Sequence, residues 1–272
     1  MPKQLIITLR EGVDPVYGLQ KAPAHTSIEN ETLSPGNYRY ILMPEKNNYA
    51  KGVHALRTKC EKEADCSHPL FVQDDENRIY RPLTFKENIE ARVNDFNTLY
   101  NQNGKERKKS DRLRFFSRRR LDSCTGIAYK GGSTKFKLIS QSRELITLPK
   151  EFNNEHIAID YDSLTGVELD TKEAVYNNQL TRNQVENHPA WLAVVDGDSH
   201  LLKAHTDIVF NTLTQLNAAM SFYVRQDTAQ DELRALFVYD LVSNSDAVGL
   251  NFLSDFGSFL LVAPSSRKKK SR

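Results

Sequence analysis

The spacing of apolar residues changes period part-way along this chain, and that change limits the folds open to it. Thr84-Phe85-Lys86-Glu87 has the form of a capping box, in which a Thr hydroxyl and a Glu carboxylate satisfy free amides at a helix start. Phe85, Ile89, Val93, Phe96 and Tyr100 then fall on one helical face, which predicts a helix over 85–101 ending at Asn101-Gln102-Asn103-Gly104. Further on, Thr125–Lys130, Lys135–Ser140 and Glu144–Leu148 are short β-rich runs separated by Gly131-Gly132-Ser133 and Gln141-Ser142. They read as strands of an antiparallel meander. His156–Tyr161 reads as a further strand, turning through Asp162-Ser163-Leu164-Thr165-Gly166.

Both kinds of signal recur elsewhere. Gln4–Leu9 and Tyr38–Met43 are strand candidates, and Leu70–Gln73 with Arg78–Leu83 suggests a hairpin around Asp74-Asp75-Glu76-Asn77. Capping boxes are expected at Asp170 with Glu173 and at Thr181 with Gln184, and Pro189 suits a first helical position before Ala190–Val194. A longer helix is expected from near Ser199 to about Met220, with Leu201, His205, Ile208, Val209, Leu213 and Leu216 on its apolar face. Arg234–Leu241, Gly249–Leu253 and Phe259–Val262 complete the strand candidates, and Pro264 closes the folded part. This mixed order, without an internal repeat, predicts an α+β fold with a mainly antiparallel sheet and several helices. Two lobes are expected, an N-terminal α+β lobe over 1–104 and a β-rich lobe with helices over 125–266, joined by a basic segment at 105–124 and followed by a basic tail at 267–272. A single domain over 1–266 is the alternative.

At 272 residues, with 39% hydrophobic and 26% charged residues, the chain can bury a core and is not of disordered composition. No run of eighteen apolar residues is present, so no membrane-spanning helix is expected. Leu5–Thr8 is too short an apolar stretch for a secretory signal, and three cysteines, an odd number, argue against a disulfide framework. The expected location is cytoplasmic, or nuclear in a eukaryote.

Charge is distributed unevenly. Residues 105–120 (KERKKSDRLRFFSRRR) hold nine Lys or Arg against two acids, and Arg267–Arg272 (RKKKSR) adds five more cations. The formal total is only +2, so the rest of the chain is strongly acidic. A cationic block and tail on an acidic body point to a polyanionic partner, nucleic acid foremost, either DNA or RNA. Arg107, Lys108, Lys109, Arg112, Arg114, Arg118, Arg119 and Arg120 are the candidate phosphate contacts, because a guanidinium fork donates two hydrogen bonds to one phosphate. Phe115 is a candidate platform for an unpaired base, and Lys268, Lys269 and Lys270 a candidate phosphate-binding arm. A helical reading from Ser110 turns Leu113, Phe116 and Leu121 toward the body and Arg112, Arg119 and Arg120 outward. The plainer alternative is a solvated surface segment paired with the acidic body.

Two other constellations carry chemistry. His54, Cys60, Cys66 and His68 form H-x5-C-x5-C-x-H, the right residue types for a tetrahedral zinc site. The gaps are not those of a zinc finger, and incidental placement accounts for them more simply. Asp160 and Asp162 in D-Y-D, and Asp196 and Asp198 in D-G-D-S-H ahead of His200, are carboxylates of the kind that hold Mg²⁺ or Mn²⁺ for phosphodiester cleavage. Ordinary turn and cap roles explain them equally well. Gly131-Gly132 lacks the following helix and Lys-Ser/Thr pair of a phosphate cradle. The sequence therefore favours a non-catalytic nucleic-acid-binding protein. The alternatives are a metal-dependent nuclease or phosphoryl-transfer enzyme using the Asp pairs, and an assembly protein whose basic patch meets an acidic protein surface, including that of a second copy in a homo-oligomer. Elemental analysis of purified protein tests the zinc site: a zinc-to-chain ratio near one establishes it, and a ratio near zero dismisses it.

Overall fold

A computed structural model describes residues 38–42, 72–73, 79–99, 121–146, 155–172, 179–213, 217–241, 244–250 and 258–264, together with Leu148 and Phe152. They form helices packed on a branched, mostly antiparallel sheet, an α+β arrangement. Among the described residues the strands are β1 (Tyr38–Leu42), β2 (Val72–Gln73), β3 (Ile79–Pro82), β4 (Leu121–Tyr129), β5 (Lys135–Ile139), β6 (Ile157–Ala158), β7 (Val167–Asp170), β8 (Phe222–Tyr223), β9 (Glu232–Val238), β10 (Ala247–Val248) and β11 (Ser258–Pro264). The helices are α1 (Phe85–Leu99), the single turn α2 (Arg143–Ile146), α3 (Arg182–Glu186), α4 (Pro189–Val194) and α5 (Ser199–Asp207).

The main path through the sheet runs β2-β3-β11-β4-β9-β10-β8. Off that path, β1 pairs with β11, β5 with β4 and β7, and β6 with β9. Among the described strands, only β11–β4 and β10–β8 are parallel. The sheet thus branches at β4, whose first residues lie between β11 and β9 and whose last four lie between β5 and β9. A bulge makes the exchange possible. Asp122 faces Phe237 and Gly126 faces Ala235, so Ser123, Cys124 and Thr125 stand against Leu236 alone.

The bulge also sets where α1 begins. Cys124 N–H donates to the Leu83 carbonyl at 2.7 Å, and the Cys124 carbonyl accepts from Ser142 N–H at 2.8 Å. Thr125 Oγ1 accepts from Phe85 N–H (2.8 Å) and donates to the Ser140 carbonyl (2.7 Å). Just upstream, Thr84 N–H donates to Glu87 Oε2 at 2.8 Å and Glu87 N–H to Thr84 Oγ1 at 3.2 Å, which is the expected capping box. Helix α1 then buries Phe85, Ile89, Val93 and Phe96 against β4, β9 and α5. Phe85 meets the edge of Trp191, which in turn meets Phe222, with ring centroids 5.7 and 5.8 Å apart.

Thr181 and Gln184 form the second capping box, and Pro189 occupies the first turn of α4, both as the sequence suggests. The hairpin over 72–82 is present, with Val72 opposite Tyr80. Other expectations need correction. Glu144–Leu148 is not a strand: its first residues form α2, because Ser142 Oγ accepts from Leu145 N–H and donates to Glu144. His156–Tyr161 is extended only at β6, since Asp160 caps a 3₁₀ turn over Tyr161–Ser163. The helix expected to reach Met220 is α-helical only to Asp207 and continues as a π-helical turn over Ile208–Leu213. By Ala219 the chain is bridged to Leu180 through both backbone groups, and Met220 has a φ of 54°. Gly249 and Leu250 follow β10 instead of starting a strand there, while β7, β8 and β10 have no counterpart in the sequence expectations. The strand proposed at Gln4–Leu9 lies outside the described residues; Asp170, expected to open a helix, ends β7, and Glu173, its expected box partner, lies outside them.

Glycine is required at position 131, where a Cβ would lie 2.7 Å from the backbone of Gln230. The bulge makes a sharper test. Thr125→Val keeps the side-chain shape but leaves Phe85 N–H and the Ser140 carbonyl without this partner. It is expected to lower the unfolding free energy by about 1–3 kcal/mol in denaturant titrations. Thr84→Ala should cost about 1 kcal/mol by removing the cap.

Candidate functional site

Residues 105–120 connect α1 to β4 in sequence, so both neighbours of the cationic block are core elements. Arg107, Lys108, Lys109, Arg112, Arg114, Phe115, Arg118, Arg119, Arg120 and the tail residues Lys268, Lys269 and Lys270 lie outside the described residues, as do His54, Cys60, Cys66 and His68. Leu121, which the helical reading turned inward from a helix, is fully buried but begins β4. Cys124 is a buried thiol whose Sγ donates to the Pro82 carbonyl at 3.3 Å.

Several cations of the described body meet its own carboxylates. Lys130 Nζ reaches both oxygens of Asp162, at 2.8 and 3.1 Å, and Lys135 Nζ lies 2.6 Å from Glu168. These exposed contacts raise the Lys130 pKa and lower those of Asp162 and Glu168. Lys137 donates to the carbonyls of Tyr161 and Leu164 and lies 4.3 Å from the Tyr161 ring centroid. Arg182 pairs with Glu186 and Asp207.

Each candidate metal-binding Asp has an occupied local role. Asp160 Oδ1 accepts from Asp162 N–H, which closes the 3₁₀ turn, and Asp162 holds Lys130. Asp196 and Gly197 terminate α4 with left-handed φ values of 53° and 76°. Asp196 N–H returns to the Ala193 carbonyl and Gly197 N–H to that of Leu192, a Schellman ending. Asp198 Oδ1 accepts from Leu201 N–H at 2.9 Å and caps α5, while His200 is exposed on the first turn. The D-G-D pair lies beside the start of α1: Asp196 is 3.8 Å from Lys86, and burial, with Glu87, Asp198 and Asp196 nearby, raises the Glu90 pKa. Among the described residues, no group of three or more His, Cys, Asp or Glu is placed to hold a metal ion.

Two buried polar clusters went unnoticed in the sequence. On β9, Glu232 is 4% exposed and accepts from Arg234 Nε at 2.7 Å and Arg225 Nη1 at 3.4 Å, with His156 Nδ1 3.5 Å from its other oxygen. Between α1, α5 and the segment after β9, the fully buried Arg92 donates to the Tyr239 carbonyl (2.7 Å) and to Ser245 Oγ (3.3 Å). His205 Nε2 lies 3.0 Å from the same hydroxyl, and Ser245 has a left-handed φ of 51°. A Ser–His contact on a strained backbone resembles a nucleophile and its base. Here all three side chains are fully buried, and burial, aided by the Arg92 charge, pushes the His205 pKa down to about 3. Such an imidazole is too weak a base to activate a hydroxyl near neutral pH. The signal available in the sequence was slight: Arg92 and His205 are polar residues on otherwise apolar helix faces.

Glu232→Gln removes the charge facing Arg234 and is expected to cost about 3–5 kcal/mol in denaturant titrations. Asp198→Ala should cost only the cap, about 1 kcal/mol.

No protein-family model matches the chain, and no curated protein matches it. Its fold is similar to that of a solved structure described as showing accommodation of massive sequence variation in Nanoarchaeota by the C-type lectin fold. The TM-score is 0.53 at 11% identity, with 84% of this chain and 99% of the other covered. At that identity the likeness is one of fold.

Proposed function

We propose that this is a non-catalytic nucleic-acid-binding protein in which a C-type-lectin-like body carries a cationic, aromatic-bearing segment. Arg107, Lys108, Lys109, Arg112, Arg114 and Arg118–Arg120 contact phosphates, Phe115 stacks on a base, and Lys268–Lys270 add a second point of contact. The observation carrying this reading is the contrast in charge. Between α1 and β4 the sequence holds nine Lys or Arg against two acids, whereas in the described body Lys130, Lys135, Arg182, Arg225 and Arg234 each meet a carboxylate. With the chain totalling only +2, its cationic excess lies in the block and the tail.

Two further observations support it. The carboxylates that a metal-dependent nuclease would need are engaged in turns, caps and ion pairs. The similar solved structure concerns a fold that accommodates massive sequence variation, and such a scaffold suits a body whose core persists while a connecting segment takes on a binding role.

Binding to labelled single- and double-stranded oligonucleotides across a salt series provides the test. Log affinity should fall linearly with log salt, and replacing Arg118, Arg119 and Arg120 together by Ala should flatten the slope by about 0.7–0.9 for each phosphate no longer neutralised. A triple variant that binds like the parent rejects the assignment.

A further inference from the structure

We propose that the contact of α5 with Ser245, beyond the end of β9, is an acid-labile latch, in which protonation of His205 sets a second cation beside Arg92 inside the protein and frees this junction ahead of the β4–β9 core. This inference is independent of the nucleic-acid reading.

The geometry gives the latch its parts. Ser245 Oγ receives Arg92 from α1 and contacts His205 from α5, and none of the three side chains reaches solvent. Arg92 also donates to the carbonyls of Val238 and Tyr239, so its charge is held at the end of β9. His205 Nδ1 is buried without a hydrogen-bond partner among the described residues, so a cationic ring, which carries N–H on both nitrogens, has no acceptor in place at Nδ1.

The other charged groups brought by packed elements do not offset that cation. From α3, Arg182 and Glu186 meet α5 at Asp207 and Thr206 and also pair with each other. Helix α4 contributes no ionisable side chain over Pro189–Val194. After β9, Asp240 interacts with Arg92, and Asp246 is committed to Ser221 N–H at 2.7 Å. Burial lowers Arg92 to about 9, so it stays charged at neutral pH and below.

The direction with pH follows from linkage. His205 titrates near 3 when the junction is closed, against an ordinary value of about 6.5 when open. Its contribution to closure is therefore complete above the open-state value and is lost as pH falls toward the closed-state value. Burial raises the Asp246 pKa, so its protonation favours closure and works against the latch at the acid end. The effect should be clearest between pH 6 and 5.

Amide hydrogen exchange on the full chain, corrected for intrinsic rates, tests the latch. The reporters are Met220, Ser245 and Ala247, whose amides bond to the carbonyls of Asn244, Asp240 and Ser221, with β4 and β9 amides as reference. Between pH 6 and 5 the opening constant at the reporters should rise about eightfold, approaching the slope of one bound proton, while the reference amides, whose unfolding also frees His205, rise by no more than that and stay the better protected. His205→Gln should abolish the rise and Asp246→Asn should leave it. The sole tryptophan, Trp191, donates to the Met220 carbonyl at 2.8 Å, and its fluorescence should change with the reporters. Reporters that stay flat, that open together with the β4–β9 amides, or that keep their pH slope in His205→Gln overturn the proposal. Should that variant not fold, selective opening in the parent, persisting in Asp246→Asn, supports it.

Discussion

Complete burial of the β4–β9 pair is the constraint on which the remaining structure depends. Every residue of both strands is buried, yet their sequences include Asp122, Ser123, Thr125, Glu232 and Arg234. Polar groups in a dry interior are costly unless hydrogen-bonded, so these residues dictate much of what packs around them. Ser123 donates to the Leu236 carbonyl across the pair, Thr125 joins the first amide of α1 to the Ser140 carbonyl, and Glu232 lies between two arginines. The bulge at 123–125 lets one strand serve two neighbours on the same edge, β11 at its start and β5 at its end.

Helix α1 is fastened to this centre at one end by Thr125 and along its length by Arg92, which reaches the carbonyls at the end of β9. The chain between α1 and β4 therefore leaves one anchored element and enters another. Both elements that flank residues 100–120 in sequence thus belong to the same buried centre.

Much of the helical framework was legible locally. The boxes at Thr84/Glu87 and Thr181/Gln184, the Pro at position 189 and the Asp198 cap act within one helical turn, and each formed where the residue types indicated. The D-Y-D and D-G-D motifs carried two readings because carboxylates suit both metals and free amides; backbone geometry, including the left-handed Asp196, shows which amides they or their neighbours engage. Leu121–Cys124 did not read as a strand because Asp, Ser and Cys form no apolar alternation, and their burial depends on contacts remote in sequence. Glu144–Leu148 erred the other way: residues with strand character became a helical turn under the pull of a single serine hydroxyl.

By itself the sequence determined the mixed helical and antiparallel character, the helix starts and the concentration of positive charge in a block and a tail, because these rest on neighbours within a few residues or on composition. Tertiary structure alone decided the branching of the sheet at β4, the end of the α-helix at Asp207, and the convergence of Arg92, His205 and Ser245 on one buried hydroxyl. Those features depend on partners up to about 150 positions apart, such as Arg92 and Ser245, and on the exclusion of water, which residue order conveys only after the chain has folded.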